Sequence, residues 1–473
     1  MYSLKNTVES LGDFQNINFY VPAATRTGST MLTVTGTADV TYTVISAAVK
    51  DLTAYTGKTV INLLTDSNGI TGLDTATFGT LTDAGFATTG FTLSKSKDGQ
   101  TVLLTIGSDT TNILPHTNDD TADSDNTGNE DNDKANQSTD PDAADNHTDS
   151  GNTSSKANWA DIHLNSQTKI LPESRLAGFS MLRQAGDFLT GAAYHNAAVT
   201  ADRAQTTEYV PFAIGSVGKI KDFTGSYIEN HGMGLDFGFA RRLQHSGSTV
   251  TLVPFFEYGH GNYTGHLDDG TRGDGKNTFM GAGFLARRDN ASGYYYEGSV
   301  RAGHAKIDYS GTIAGYAASY DSDSNYVAMH VGAGKLIPSG TKDQYDLYGK
   351  FFWTHQAGDH VTLNSSLGQA PYDFDAINSY RTRLGLRWTH QTSKNQSIYA
   401  GLAWDYEFSG TEGATYRGLR TLEPSLKGSS AVMELGWQRE LTKDSPWGLD
   451  IGLMGYAGKQ QGAMFHTLVT WKF

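Results

Sequence analysis

The sequence predicts an all-β chain. Its larger part reads as a twelve-stranded antiparallel transmembrane β-barrel with an α-helix in the pore, and a β-solenoid-like segment precedes it. Three observations predict this. From about residue 207 onward, apolar and polar residues alternate with period two, strand after strand, and the chain closes on "HTLVTWKF" without leaving that pattern. One amphipathic helical segment, "LPESRLAGFSMLRQAGDFLTGAAY", stands directly before the first of these strands. An acidic stretch almost free of apolar residues separates both from a beginning rich in Thr, Val and Gly.

The chain has 473 residues, room for two or more structural units. Its 54 Gly, 24 Tyr and 21 Phe suit many strands and turns. Without Cys it has neither a disulfide framework nor Cys-based metal sites. Mean hydropathy is −0.42, and no apolar run reaches the roughly 18 residues of a membrane helix. The beginning, "MYSLKNTVESLGDFQNINFY", shows no basic segment followed by an apolar core, so no secretory signal is expected there. Either the protein stays inside the cell, or this is the back part of a longer chain.

Residues 1–114 contain short β-rich runs such as "STMLTVTGTADVTYTVISA", "GKTVINLLTD" and "GQTVLLTIG". Charge is sparse, and stacked short strands of a solenoid fit, although no clean repeat period is visible. Residues 115–158 form an acidic linker. Between Thr117 and Lys156, eleven acids face only Lys134 and Lys156, which accounts for most of the net charge of −14. Such a stretch cannot bury enough surface to offset its ordering entropy and is expected to be disordered. A calcium loop at Asp123, Asp125 and Gly128 fails, because Thr127 and Lys134 stand where ligands are required.

Residues 159–206 form a second linker containing the helix, expected at about 171–194. Pro172 and Glu173 suit its first turn, and Leu176, Phe179, Leu182 and Leu189 share one stripe. Gly178, Gly186 and Gly191 are costly inside a helix, by roughly 0.5–1 kcal/mol each against Ala. They point to something approaching closely. About 24 residues span roughly 36 Å, enough to traverse a bilayer core, yet the segment is too polar to face lipid.

Residues 207–473 form the barrel. In "YRTRLGLRW", Tyr380, Leu384, Leu386 and Trp388 lie opposite Arg381, Arg383 and Arg387. In "SIYAGLAWDYEF", Ile398, Leu402, Trp404, Tyr406 and Phe408 lie opposite Tyr399, Asp405 and Glu407. "YDLYGKFFW" and "AVMELGWQREL" repeat the pattern. About twelve such strands exist, each long enough for the roughly 9–11 residues of a tilted crossing, and an even count suits a bacterial outer-membrane barrel. The odd-numbered connections are expected to be long, as in "GNYTGHLDDGTRGDGKN", and the even-numbered ones shorter, with the eleventh short as well. A last strand paired with the first leaves no open edge and needs no polar tail.

The order of β-rich segment, linker, helix, twelve strands and terminal Phe resembles the C-terminal part of a monomeric autotransporter. "PESRLAGFSMLRQAGDF" and "FHTLVTWKF" carry the likeness. The resemblance implies self-secretion (type V secretion): a translocator in the bacterial outer membrane that delivers and anchors an N-terminal passenger at the cell surface. It implies that Phe465, Trp471 and Phe473 form the signal read by the barrel-assembly machinery, with periplasmic chaperones and outer-membrane lipid as further partners. It also places the helix in the pore. Some members cut the passenger between two adjacent Asn inside the barrel, and this chain has no Asn-Asn pair.

Physical reasoning adds detail. A twelve-stranded lumen should admit one helix of about 10–12 Å diameter. Gly178, Gly186 and Gly191 would allow close approach to the wall. Arg175 and Arg183 would face lumen carboxylates, for which Asp236, Glu257, Glu297, Asp405, Glu407 and Glu434 are the candidates. No catalytic, metal or cofactor residues are assigned. G-x-S-x-G, H-E-x-x-H and phosphate-loop motifs are missing, and His355, Asp359 and His360, like Asp268 and Asp269, read as solvated loop residues. An acidic chain without a basic stripe argues against nucleic acid. The competing reading is a stand-alone outer-membrane channel or adhesin with a plug. A barrel-rim protease is weaker still. The expected state is a monomer.

Overall fold

The computed structural model describes residues 5–22, 25–49, 58–80, 84–88, 91–106, 163–204, 208–439 and 447–471. The acidic stretch from Thr117 to Lys156 lies outside them, with Asp123, Asp125 and Gly128. The described chain falls into two compact units. One comprises Met1–Leu81 and Thr89–Asp161, the other Thr82–Thr88 and Ile162–Phe473.

The first unit is a stack of parallel strands. In one sheet, Asn6–Leu11, Thr30–Asp39 and Thr59–Asp66 lie side by side, with Val8 aligned to Val34 and Leu32 to Leu64. In a second sheet, Asn16 aligns with Val44 and Val44 with Thr77. Met31, Leu32, Val34, Ile45, Ile61, Leu63 and Leu64 fill the space between coils. The coils are of unequal length, so no repeat period is legible in the sequence. An antiparallel hairpin, Phe91–Lys95 with Thr101–Ile106, ends the first sheet by pairing with Thr59–Asp66.

The second unit is the barrel. Its strands are β1 (Val210–Phe223), β2 (Tyr227–His245), β3 (Ser248–His266), β4 (Arg272–Asn290), β5 (Tyr294–Ile313) and β6 (Tyr316–Ser339). They continue with β7 (Asp343–Gln356), β8 (Ile377–Ser393), β9 (Gln396–Glu407), β10 (Gly428–Arg439), β11 (Trp447–Gly458) and β12 (Gln460–Trp471). Each pairs antiparallel with its neighbours, and β1 pairs with β12 from Gly215↔Thr467 to Asp222↔Gln460, which closes the sheet. The outward residues are apolar: Met233, Leu235, Phe237, Phe256, Met280, Phe284, Val331, Leu347, Phe351, Leu384, Leu402, Trp404, Met433, Leu435 and Leu453 are all exposed. So large a continuous apolar surface suits a lipid solvent, not water. No described helix is long and apolar enough to cross a membrane, which bears only on helices.

Inside, aromatic rings lie over glycines on the adjoining strand. Tyr295 pairs with Gly334, Tyr348 with Gly385, and Tyr399 with Gly436. In each pair the ring occupies the space a glycine Cβ would need.

The connections depart from expectation. The fourth and fifth at one end are long, residues 357–376 and 408–427, but the first three at that end are short because the strands run on. "NYTGH" belongs to β3 and "RGDGKN" to β4. Once a strand leaves the bilayer its outward face turns polar, so the alternation fades while the ladder persists. Ala314 and Gly315, both at positive φ, make the two-residue turn between β5 and β6. The two long connections fold into strands themselves. Asp359–Ser365 pairs with Gly368–Phe374, which reaches Ala414–Tyr416. This flap buries Val361, Leu363, Ala370, Tyr372, Phe374 and Tyr416 in one cluster with Ile170, Leu171, Tyr309 and Tyr320.

The helix is longer than expected. A 3-10 turn at Ser166–Lys169 leads into α1 (Ile170–Phe188), a π-turn spans Leu189–Ala193, and α2 (Tyr194–Ala204) follows. Asn165 caps the start, its side chain accepting from Gln167 N at 2.9 Å. The rod is roughly 55–60 Å long, about twice the hydrocarbon thickness.

Candidate functional site

The site is the lumen and the helix within it. Every residue of α1 except Gln184 is buried. Space for the helix comes from glycine on both surfaces. A Cβ on Gly178 would collide with Ile307, and one on Gly186 would lie 3.1 Å from Arg301 Nη2. On the wall, a Cβ on Gly265 would lie 3.0 Å from Ile170, and one on Gly232 would lie 3.0 Å from Met181. Gly191, in the π-turn, is looser, with Met454 Cε at 3.9 Å from its Cβ position.

The helix starts among the loop-end connections. Lys169 Nζ donates to Ser226 Oγ at 3.0 Å, and Gln167 Nε2 donates to Asp269 at 3.0 Å. Gln167 Oε1 accepts from Ala314 N at 2.6 Å. Glu173 accepts from Thr224 and from Ser226. Arg175, with no exposed surface, donates to Glu412 at 2.7 Å, to the Asp375 carbonyl at 2.9 Å and to the Ala357 carbonyl at 2.6 Å. Its guanidinium lies 5.3 Å from the centre of the Phe374 ring. Thus one helical arginine ties both long connections together. Burial pushes the Glu412 carboxyl up to about 8, with Arg175 opposing.

Midway, Arg183 meets Glu407 at 3.4 Å and Asp222 at 3.8 Å, and Ser180 donates to Asp222. Lower down the polarity reverses. Asp187 accepts from Arg381 at 2.6 Å, from Arg383 at 2.8 Å and from Tyr456 at 3.1 Å. Asp405 accepts from the same two arginines, both at 2.8 Å, completing a buried square of two acids and two bases. Removing one member of such a buried network leaves the other charges uncompensated, which is costly. Arg301 bridges Glu257, at 2.8 Å, and the Leu182 carbonyl. Lys350 bridges Glu297, at 2.9 Å, and the Thr190 carbonyl, at 2.7 Å. That carbonyl sits in the π-turn, where the helical ladder is interrupted.

Below the π-turn packing loosens. A cavity of about 440 Å³ lies beside α2, lined by Tyr194, His195, Asp202, Arg242, Arg287 and Glu434 among others. Asp202 pairs with Arg242 at 3.2 Å.

The sequence candidates therefore fall into groups. Glu407 meets Arg183 directly. Asp405, Glu257 and Glu297 reach the helix through wall cations. Asp236 and Glu434 have neighbours on the wall: Asp236 sits opposite Glu257 in the ladder, and Glu434 lies 3.8 Å from Arg387. Arg175 meets none of the six, because its partner Glu412 comes from a loop. Asp187, Arg381, Arg383, Arg301 and Lys350 join the site beyond the six candidates and the two helical arginines. Their signal was present: an acid four residues after Arg183, and arginines at alternate inward positions of one strand. Phe465 is on the outward face of β12, Trp471 is that strand's last residue, and Phe473 lies outside the described residues. His355 and His360 do not form one site, since they contact Asn378 and Asp373 respectively.

A closed, lipid-faced twelve-stranded sheet packed around a polar-anchored helix defines a transmembrane β-barrel plugged by its own chain. The chain belongs to the autotransporter beta-domain family, whose sequence model matches residues 212–452, just over half its length. It is an outer-membrane translocator. Solved structures with a similar fold include the beta domain of the Bordetella autotransporter BrkA, at 19% identity, covering 56% of this chain and 99% of that one with a TM-score of 0.44. The translocator domain of NalP from Neisseria meningitidis matches at 14%, 63% and 99%, with a TM-score of 0.47. The transport unit of AIDA-I from Escherichia coli matches at 13%, 61% and 98%, with a TM-score of 0.44. No curated protein matches the chain.

Proposed function

We propose that the barrel and its helix deliver an N-terminal passenger to the bacterial cell surface and keep it anchored there. The observation that carries this is the direction of the helix. It begins among the loop-end connections, held by residues 226, 269, 314, 375 and 412, and runs to the opposite end, where it feeds β1. Residues 163–165, at the head of the helix, therefore lie at the loop end, which on this reading faces outside. Residues 1–114 are then the end of the passenger, joined by the acidic linker 115–158. The barrel acts as a monomer and has no catalytic role. It is inserted by the barrel-assembly machinery with periplasmic chaperones, guided by Phe465, Trp471 and Phe473.

An epitope placed in the acidic linker tests this on intact cells. Antibody should reach it in the full chain, and should not once residues 163–204 are deleted, although the barrel still inserts. Changing Trp471 and Phe473 together to Ser should lower the amount of inserted barrel. Equal antibody access with and without the helix would sink the delivery role.

A further inference from the structure

Residues 84–88, "AGFAT", interrupt the parallel stack in sequence but belong to the barrel unit. Ala87 and Thr88 pair antiparallel with Leu164 and His163, immediately before the pore helix. Asn165 N donates to the Phe86 carbonyl at 2.9 Å, and the Tyr372 hydroxyl donates to the Gly85 carbonyl. The Phe86 side chain has no exposed surface and joins the flap cluster with Tyr372 and Tyr416. Its φ is +58°, a conformation that non-glycine residues rarely adopt without surrounding constraint. A Cβ on Gly85 would run into the Tyr416 ring, so only glycine fits beneath it.

The position in the chain gives this contact its meaning. Residues 84–88 lie upstream of the acidic stretch and residues 163–165 lie downstream of it, yet the two are hydrogen-bonded together. The chain between residues 88 and 163, which carries the hairpin of residues 91–106 as well as the acidic stretch, thus leaves from and returns to one place. We infer that the flap and the residues before the pore helix form a clasp for the Gly85-Phe86-Ala87 segment, which holds the upstream unit to the barrel without a covalent link once the acidic linker is cut. While the chain is intact, the tether keeps the segment at high effective concentration beside its site. After scission, retention depends on the buried ring and the main-chain bonds. This rests on the passenger reading for its location outside the cell, but the clasp itself is a property of the chain.

The test inserts a specific protease site near residue 145 of the full chain. Cells are treated with the protease, and the upstream fragment is measured on pelleted cells and in the supernatant. The same cut is made on detergent-purified protein, followed by size-exclusion chromatography. The larger part of the fragment should stay with the barrel in both. Phe86→Ala should release it roughly tenfold faster or more, as expected for the loss of a fully buried aromatic side chain. Gly85→Ala should also release it, and Gly85→Ala combined with Tyr416→Ala should recover retention, because the second change clears the clash. That recovery cannot come from a misfolded upstream unit, and heat-dependent gel mobility checks each barrel. Wild-type fragment leaving as fast as the Phe86→Ala fragment, or equal retention of both, overturns the clasp. If the protease cannot reach the site on intact cells, the passenger reading fails instead, and the detergent experiment still decides the clasp.

Discussion

The two halves of the rod meet their surroundings in different ways. Alongside α1, every residue but Gln184 is buried, glycines set the spacing, and buried charges on each surface find partners on the other. Alongside α2, Ala197 and Ala201 still pack in one cluster with Phe212, Ile214 and Ala240 of the wall, but on another side a cavity opens, and Asp202 is 60% exposed in its pair with Arg242. The change falls at the π-turn, directly after the Asp187 square. The contrast teaches that a lumen wide enough for a helix is not thereby sealed. Sealing requires matched volume and matched charge, and only the loop-end half has both.

Three experiments would break or sharpen this contrast. The largest effect should come from removing the rod. A chain beginning at residue 208 should conduct far more in planar bilayers than one beginning at residue 163, since a rod of about 10–12 Å leaves the lumen. Deleting only α2 should change conductance much less. Equal currents from the two shorter chains would place the seal elsewhere.

Next come the charges. Asp187→Asn leaves Arg381 and Arg383 with Asp405 alone in a buried site, at a cost of about 3–5 kcal/mol. The exposed Asp202→Asn should cost about 0–1 kcal/mol. The temperature at which the folded band disappears in a heat-mobility gel should therefore drop clearly for the first and hardly for the second. Similar drops for both would contradict the division into halves.

The smallest effect concerns pH at the flap. Burial raises the Glu412 carboxyl from its ordinary 4.5 to about 8. On folding, this group takes up a proton anywhere between those values, so flap stability falls as pH rises from about 4.5 and levels off above about 8. Protease nicking within residues 408–427 of the detergent-folded barrel should be faster at about pH 8.5 than at about pH 5. Glu412→Gln should remove most of that difference while raising nicking at the lower pH. An unchanged pH dependence in this variant would assign the effect to another group.

Much of the fold was legible because lipid imposes a simple rule on strands. Leu384, Leu386 and Trp388 announce an outward face by themselves. The full strand lengths were not legible, because Gly265, Gly273 and Gly275 lie in ladder that has left the apolar zone. Of the site, the helix and its spacing glycines could be read, since Gly178 and Gly186 are anomalous in any helix. The partner of Arg175 could not. Glu412 sits in a long connection between strands, and only the folding of that connection into a flap brings it to the helix. Nor could the partners of Asp187, because Arg381 and Arg383 stand on a strand nearly 200 residues further along the chain.

The aromatic rings seated on glycines carry a consequence for assembly. Tyr295 on Gly334, Tyr348 on Gly385 and Tyr399 on Gly436 are direct ladder partners, so each ring acts as a key seated in a glycine notch, and for Tyr348 and Tyr399 the notch has no second copy two residues away. Sliding a strand by two residues keeps the hydrophobic faces correct and would pass unnoticed by lipid alone. It would, however, drive the Tyr348 ring into Arg383 or Arg387, and the Tyr399 ring into Glu434 or Gln438, where the ring meets a side chain instead of a glycine; only Tyr295, with Gly332 two residues from Gly334, would find a second glycine in one direction. A slipped barrel is then obstructed sterically, not just weakened. The seats thus discriminate among registers that the lipid-facing pattern leaves equivalent.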